Sequence, residues 1–437
     1  MEKIICVVTV LKSYQFYEVL SLQNIQSISK AFKFFHSKSL FEKLVQIVLF
    51  IWILSIPMKN AIYQISTIGF VLLFFIHFIY YKNFISVKQI INLYKIPFVL
   101  FGLFLLSMII SSLFGISPKD FYSEISKYFI RYIIIFLALL YFYKESFFSR
   151  YTLLAFILIA LSIHSLDGLY QYLTGFDLLK HKIPDAPTYL LTGAVYQHNP
   201  FGLFMAIGSA LSLILISDKK HYIFWKYEKL LYSFLLLLFL FTLFHSQSRA
   251  AWVMFGTFSF FYLFLYIKEN GIDKRLLFAF ILLGIFITLL FILDTNLLQR
   301  LKLLLEGNSS SRMSVIWPFT IEKIKEAPLF GYGISTYKLF PEHCCNGVHN
   351  LSLELFLYTG IIGFSIMYSL IIFTFIEGIK KSRVLYSLLF LSYILLLQFD
   401  GSLISSKIHI TIFILLLFFI YSSKKNSLKF QHKVRDF

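Results

Sequence analysis

Long apolar runs recur along this chain, and no other feature limits its folding so strongly. A helix that crosses the hydrocarbon core of a bilayer takes about 20 mostly apolar residues. Twelve runs qualify as candidates: 44–58, 61–81, 96–115, 128–143, 151–173, 199–217, 229–245, 250–267, 275–293, 350–376, 384–399 and 404–421. In lipid, only a helix lets an open segment satisfy its backbone donors and acceptors internally. The expected fold is therefore an all-α integral membrane protein of about 12 transmembrane helices. Composition agrees. Of 437 residues, 58% are hydrophobic and 14% charged, whereas soluble domains run at about 45–50% and roughly 25%. Phenylalanine alone supplies 53 residues, and the mean hydropathy is +0.77. These values exclude a soluble multidomain chain, a disordered chain, a collagen-like fold and a disulfide scaffold. The cysteines are Cys6, Cys344 and Cys345. Glu2 interrupts what would be a basic leader, and no small-x-small site follows Ile4 to Leu11. The first span is thus expected to act as its own uncleaved insertion signal.

Charge gives the topology. Cytoplasmic loops of membrane proteins are enriched in Lys and Arg. With the N-terminus inside, 26 of the 40 Lys and Arg fall in cytoplasmic segments. Adding or dropping a span destroys this alternation, so both termini are expected in the cytoplasm. The net charge of +18 is mostly this topological signal, and no basic soluble face points to nucleic acid. The expected organisation is a cytoplasmic segment 1–43, spans one to nine over 44–293, an outer loop 294–349 (periplasmic in a bacterial inner-membrane protein), spans ten to twelve over 350–421 and a basic cytoplasmic tail 422–437. The long loop stands out, because long structureless connections are uncommon in compact folds unless they are functional. Two parts of it read as helix. Leu297 to Glu306 is amphipathic and stops at Gly307; Met313 to Ala327 stops before Pro328. The second could lie in the interface plane with Trp317 dipped in lipid, or pack on the bundle. No internal repeat is evident.

The informative polar residues face outward, against the charge rule. Arg249 sits in SQSRAAW, where one span ends and the next begins. A cation at a helix N-terminus opposes the macrodipole. A bound anion would reverse that sign, since free amides and a guanidinium would both face negative charge. Snorkelling to headgroups is the plainer alternative. Ser246 and Ser248 are placed to cap and donate. Arg312 repeats the pattern in NSSSRMSVIW, and arginine offers bidentate contacts to phosphate oxygens. His349 and Asn350 open the tenth span; Asn350 is a good N-cap. Glu354, four residues on, shares the face of Asn350 about one turn into the membrane, where an ionisable group is costly. Beside two arginines His349 would stay neutral and could accept a proton from a hydroxyl. His198 and Asn199 open the sixth span ahead of Pro200, as an N-cap or as part of a site. Asp167 and Asp400, near outer helix ends, are read as hydrated. His343, Cys344, Cys345 and His349 do not follow zinc-ligand spacing, so no metal is expected.

Taken in order, SQSRAAW, then SSSRMSVIWPFTIEKIKEAPLFGYGISTY, then VHNLSLELFLYTGIIG, the sequence resembles the O-antigen ligase and polymerase superfamily of bacterial membrane glycosyltransferases. The motifs cover roughly 196 to 363; the N-terminal half matches only in hydrophobic rhythm. The resemblance implies an enzyme of the bacterial inner membrane with a periplasmic active site and no cofactor. Its donor would be a glycan on undecaprenyl diphosphate. In the ligase branch the acceptor is a sugar hydroxyl of lipid A–core, and the mechanism is metal-independent and inverting. On these residues Arg249 and Arg312 would bind the diphosphate and stabilise its leaving charge, with His349 activating the acceptor. Asn350, Glu354, His198 and Asn199 would complete substrate binding; independently of the resemblance, the position of Glu354 suggests that it orients His349. The short basic tail favours the ligase over protein O-oligosaccharyltransferases, with the polymerase as the rival inside the superfamily. The rival from another class is a twelve-span transporter of two six-helix halves. Against it stand the single long loop and the clustering of polar residues at one rim.

Overall fold

The structure is a computed structural model. It describes residues 39–58, 60–115, 121–178, 190–195, 197–217, 228–271, 274–306, 312–334, 336–340, 347–404 and 406–422. The N-terminal segment up to residue 38, the tail beyond Ser422, Ser309 to Ser311, and His343, Cys344 and Cys345 lie outside these.

Every long element among the described residues is a helix. In chain order they are α1 Leu40–Ser55, α2 Asn60–Tyr80, α3 Phe84–Leu93, α4 Lys95–Leu113, α5 Phe121–Tyr128, α6 Ile135–Lys144, α7 Arg150–Thr174, α8 His198–Ser217, α9 Glu228–His245, α10 Arg249–Asn270, α11 Lys274–Leu293, α12 Thr295–Leu305, α13 Trp317–Glu326, α14 Leu351–Lys380, α15 Val384–Asp400 and α16 Lys407–Tyr421. Each expected span falls on one or more of them. Among the described residues, eight segments are long and apolar enough to cross a membrane, or up to nine if the bent pair Phe280–Leu293 and Thr295–Leu305 is one span. α1, α15 and α16 are shorter, at 16, 17 and 15 residues. This is the helical bundle of a membrane protein. The amphipathic α3, between the second and third expected spans, is an element the hydropathy pattern does not reveal.

α8 is the central helix: 83% of its most apolar window is buried in protein, against 33% for α10. Two glycines let its neighbours close in. A Cβ on Gly208 would stand 2.8 Å from the Phe239 ring of α9. One on Gly202 would stand 2.6 Å from Ser246 Oγ and from Ser248 Cβ, so the SQS turn rests directly on α8. The segment before α8 is stapled to α7. Asp167 accepts from the backbone N–H of Leu178 and Ala194, both at 2.7 Å. Gln171, one turn on, accepts from Thr192 and Gly193 at 3.0 and 2.9 Å. Asp167 is 3% exposed, so it is a buried structural acceptor and not a hydrated surface group.

The long loop folds against the bundle. α12 leaves α11 at 105° and anchors through Leu297, which is fully buried. The second loop helix begins as a π-helical turn, Arg312–Ile316, and continues as α13. Trp317 donates its indole N–H to the Val348 carbonyl at 3.2 Å, so this helix packs on protein at that ring. Beyond it, residues 328–334 dock on a break in α14. Tyr332 N–H donates to Leu357 O at 2.8 Å, Gly333 N–H to Tyr358 O at 3.1 Å and Ile361 N–H to Pro328 O at 2.9 Å. The break is Gly360, with φ +62 and ψ −169, a region that is essentially glycine-only.

Candidate active site

α14 and α15 bring the site together. Asn350 has extended backbone angles and caps α14, its Oδ1 accepting from Leu353 N–H at 3.0 Å. Its Nδ2 donates to Gln398 O, near the end of α15, at 2.8 Å. This one amide ties the start of one helix to the end of the other, so it serves the architecture. His349 precedes it with φ +54. Such a conformation is uncommon outside glycine, though His visits it more than most residues.

That turn aims the imidazole at Asp400. His349 Nδ1 lies 3.2 Å from Asp400 Oδ1, and Arg312 Nη2 donates to the same oxygen at 3.2 Å. Arg312 Nη1 also donates to Phe399 O at 2.5 Å. The Asp400 side chain is 10% exposed, that of His349 38%. The reading of Asp400 as hydrated therefore fails, for a reason hydropathy cannot register. It ends α15 beneath a loop that comes from elsewhere in the chain and brings Arg312. Asp400 Oδ2 is buried and, among the described residues, has no hydrogen-bond partner. A carboxylate at Nδ1 fixes the ring proton there and leaves Nε2 as the free lone pair.

Glu354 does not take this orienting place. It is buried and accepts from the Ser402 hydroxyl at 2.5 Å through Oε1. It shares a cavity of about 420 Å³ with His349, Asp400, His198, Asn199 and His409. His198 and Asn199 thus do meet His349 at one cavity. The first helical hydrogen bond of α8 goes from Phe201 N–H to Gln197 O, so Gln197 is the cap residue and His198 lies in the first turn. Among the described residues no group of three His, Cys, Asp or Glu is placed to hold a metal ion.

Arg249 starts α10 between Ser248 and Ala250, both on the cavity wall. The expected serine cap is absent: Ser248 makes no side-chain cap bond. Ser246 instead donates to Leu243 O at 2.6 Å and accepts from Ser248 N–H at 3.3 Å, holding the turn from within. Arg249 donates to Leu303 O at 3.5 Å and lies within electrostatic reach of Arg312 and Arg300. The structure therefore brings His349 and His198 to one cavity, with Arg312 bonded to the Asp400 that lines it and Arg249 between two of its lining residues.

Residues 234–368 match the family model for O-antigen ligase. The match supports the superfamily drawn from the motifs. No curated protein matches the chain. The matched O-antigen ligase stretch contains Arg249, Arg300, Arg312, His349, Asn350 and Glu354. It excludes His198, Asn199 and Asp400, which only the fold supplies. Sequence reasoning missed Asp400 and Arg300. For Arg300 a signal existed, as a cation within an amphipathic loop helix. For Asp400 there was only its place at a span end.

Proposed function

We propose that this protein is an O-antigen ligase, moving a glycan from undecaprenyl diphosphate to a sugar hydroxyl of lipid A–core. The observation that carries the reading is one carboxylate oxygen, Asp400 Oδ1, holding both His349 and Arg312 at 3.2 Å beside a cavity of about 420 Å³. In this reading the chain crosses the bacterial inner membrane twelve times, with both termini cytoplasmic and the cavity periplasmic.

The chemistry follows from the groups present. His349 Nε2 takes the acceptor hydroxyl proton as the acceptor oxygen forms its bond to the anomeric carbon. The bond from that carbon to the diphosphate oxygen breaks, and the electron pair leaves with the phosphate. Attack opposite the leaving group inverts the configuration. Asp400 keeps the Nδ1 proton in place and stabilises the imidazolium. Arg249 and Arg312 are fixed cations for the departing diphosphate, and preorganised charge aimed at a developing anion is a large catalytic contribution. No cofactor enters this scheme.

Two measurements test it. Deleting the gene in its host should remove the whole ladder from a lipopolysaccharide gel while full-length glycan accumulates on its lipid carrier. A single repeat unit still joined to the core would make the protein the polymerase. An unchanged ladder would favour protein glycosylation or transport. Within the site, Asp400→Asn should lower turnover by about 10²–10⁴-fold, the span of general-base catalysis, because an amide can present the wrong group to Nδ1. Wild-type turnover in that variant removes Asp400 from the mechanism.

A further inference from the structure

The histidines of the cavity sit among different charges. His198 is acted on by Arg300, Asp400 and Arg312, whereas His409 is acted on by Asp400 and His349. The cavity thus has one end under the influence of arginines and another at the turn from α15 to α16. That turn contributes Asp400, Gly401, Ser402, Ser406 and His409 to the cavity wall. The transfer chemistry above uses only Asp400 among them.

The serines of this turn hold the turn itself. Ser402 donates to Glu354 Oε1 at 2.5 Å and accepts from Ile404 N–H at 3.1 Å. Ser406 caps α16, accepting from His409 N–H at 3.4 Å. The His409 ring is fixed as well. Tyr393 donates its hydroxyl proton to the His409 carbonyl at 2.7 Å, and the same hydroxyl oxygen lies 3.4 Å from His409 Nδ1. A phenol has one proton to give, so Nδ1 is the donor in the second contact. Gly401 makes room for the ring, since a Cβ there would stand 3.3 Å from His409 Cε1. Among the described residues no hydrogen bond or ion pair reaches Nε2. A buried charge without a partner is costly, and His409 is 7% exposed. The ring is therefore neutral, with its proton on Nδ1 and a lone pair on Nε2.

We propose that His409 is a binding residue for the acceptor, its Nε2 accepting a hydrogen bond from a sugar hydroxyl other than the one that reacts. This rests on the transfer reading given above. The chemistry of the lone pair selects the ligand. A diphosphate diester has no proton to offer it; a sugar hydroxyl has one. The donor glycan also carries hydroxyls, but the acceptor is the substrate whose hydroxyl must reach His349, and His349 is within electrostatic reach of His409. A site built to pair with a substrate hydroxyl also discriminates against a sugar that lacks it.

The test is direct binding to the full-length protein in detergent, with two probes: lipid A–core and the glycan linked to undecaprenyl diphosphate. His409→Phe keeps a ring beside Tyr393 and leaves the Tyr393 bond to the backbone carbonyl, but removes both nitrogens. It should weaken lipid A–core by about 10-fold, the scale of one hydrogen bond. The lipid-linked glycan should stay within about twofold on the same scale. His409→Gln, which returns an amide oxygen as acceptor, should recover most of the lost affinity. If His409→Phe weakens both probes equally, or His409→Gln recovers nothing, His409 only packs the turn and the assignment is overturned. Weakening of the lipid-linked glycan alone overturns it too. If neither probe changes while the wild type binds both, the assignment falls and the transfer reading survives. A wild-type protein that does not bind lipid A–core overturns both.

Discussion

His349→Ala should abolish glycan transfer while leaving the folded protein and its affinity for the lipid-linked donor nearly unchanged. The imidazole is held by a carboxylate at the cavity, through Nδ1 at 3.2 Å from Asp400 Oδ1. Without it the acceptor hydroxyl, with a pKa far above 7, must attack while still protonated. General-base catalysis contributes typically about 10²–10⁴-fold, so turnover should fall by at least that range. The fold should survive. The His349 side chain is 38% exposed and makes its described hydrogen bond to Asp400, which keeps Arg312 as partner. Alanine at φ +54 adds modest strain, since non-glycine residues outside favoured regions cost about 1–3 kcal/mol each and histidine already bears part of it. Single-turnover assays with purified donor and acceptor decide the matter, with a melting curve as the folding control. Wild-type turnover would sink the assignment of His349 as base.

Gly360→Ala should be severely destabilising. Two independent terms add. First, φ +62 with ψ −169 is a region L-residues almost never occupy, at about 1–3 kcal/mol. Second, a Cβ there would stand 2.2 Å from Leu329 O and 2.3 Å from Leu329 C. Both are backbone atoms, so no rotamer change can relieve the contact. The loop 328–334 must lift, and with it the hydrogen bonds of Tyr332, Gly333 and Ile361. Gly331 faces the same crossing, where a Cβ would lie 2.6 Å from Leu357 O. The combined loss should be about 3 kcal/mol or more, the scale of severe core overpacking. It should appear as a melting temperature several degrees lower and as faster proteolysis within residues 312–340. Because α13 and the Trp317 to Val348 hydrogen bond sit between that crossing and His349, activity should fall as well. An unchanged melting temperature would mean that the loop does not rest on this break.

The resemblance motifs acquire physical meaning in these terms. The two glycines of PLFGYG and the first of TGIIG are the places where two backbones cross. The glycine of HNPFG is where the SQS turn meets α8. Arg249 directly follows the SQS turn that rests on Gly202.

What the sequence determined by itself was the class of fold, the positions of the apolar helices, the cap of α14 and the two histidines, His198 and His349, that share the cavity. These signals are local: hydropathy over a window, a capping side chain before a helix, a cation where the charge rule disfavours it. What only the tertiary structure decided was the partner of each group. Asp400 lies 51 residues from His349 and 88 from Arg312, and nothing in its own neighbourhood distinguishes it from a hydrated carboxylate at a helix end. Glu354 was the nearer acidic residue in sequence, yet its helix turns it toward Ser402. Arg300 became a neighbour of Arg249 only through the 105° bend before α12. Burial and pairing depend on which elements pack together, and that choice is made by packing across the whole bundle.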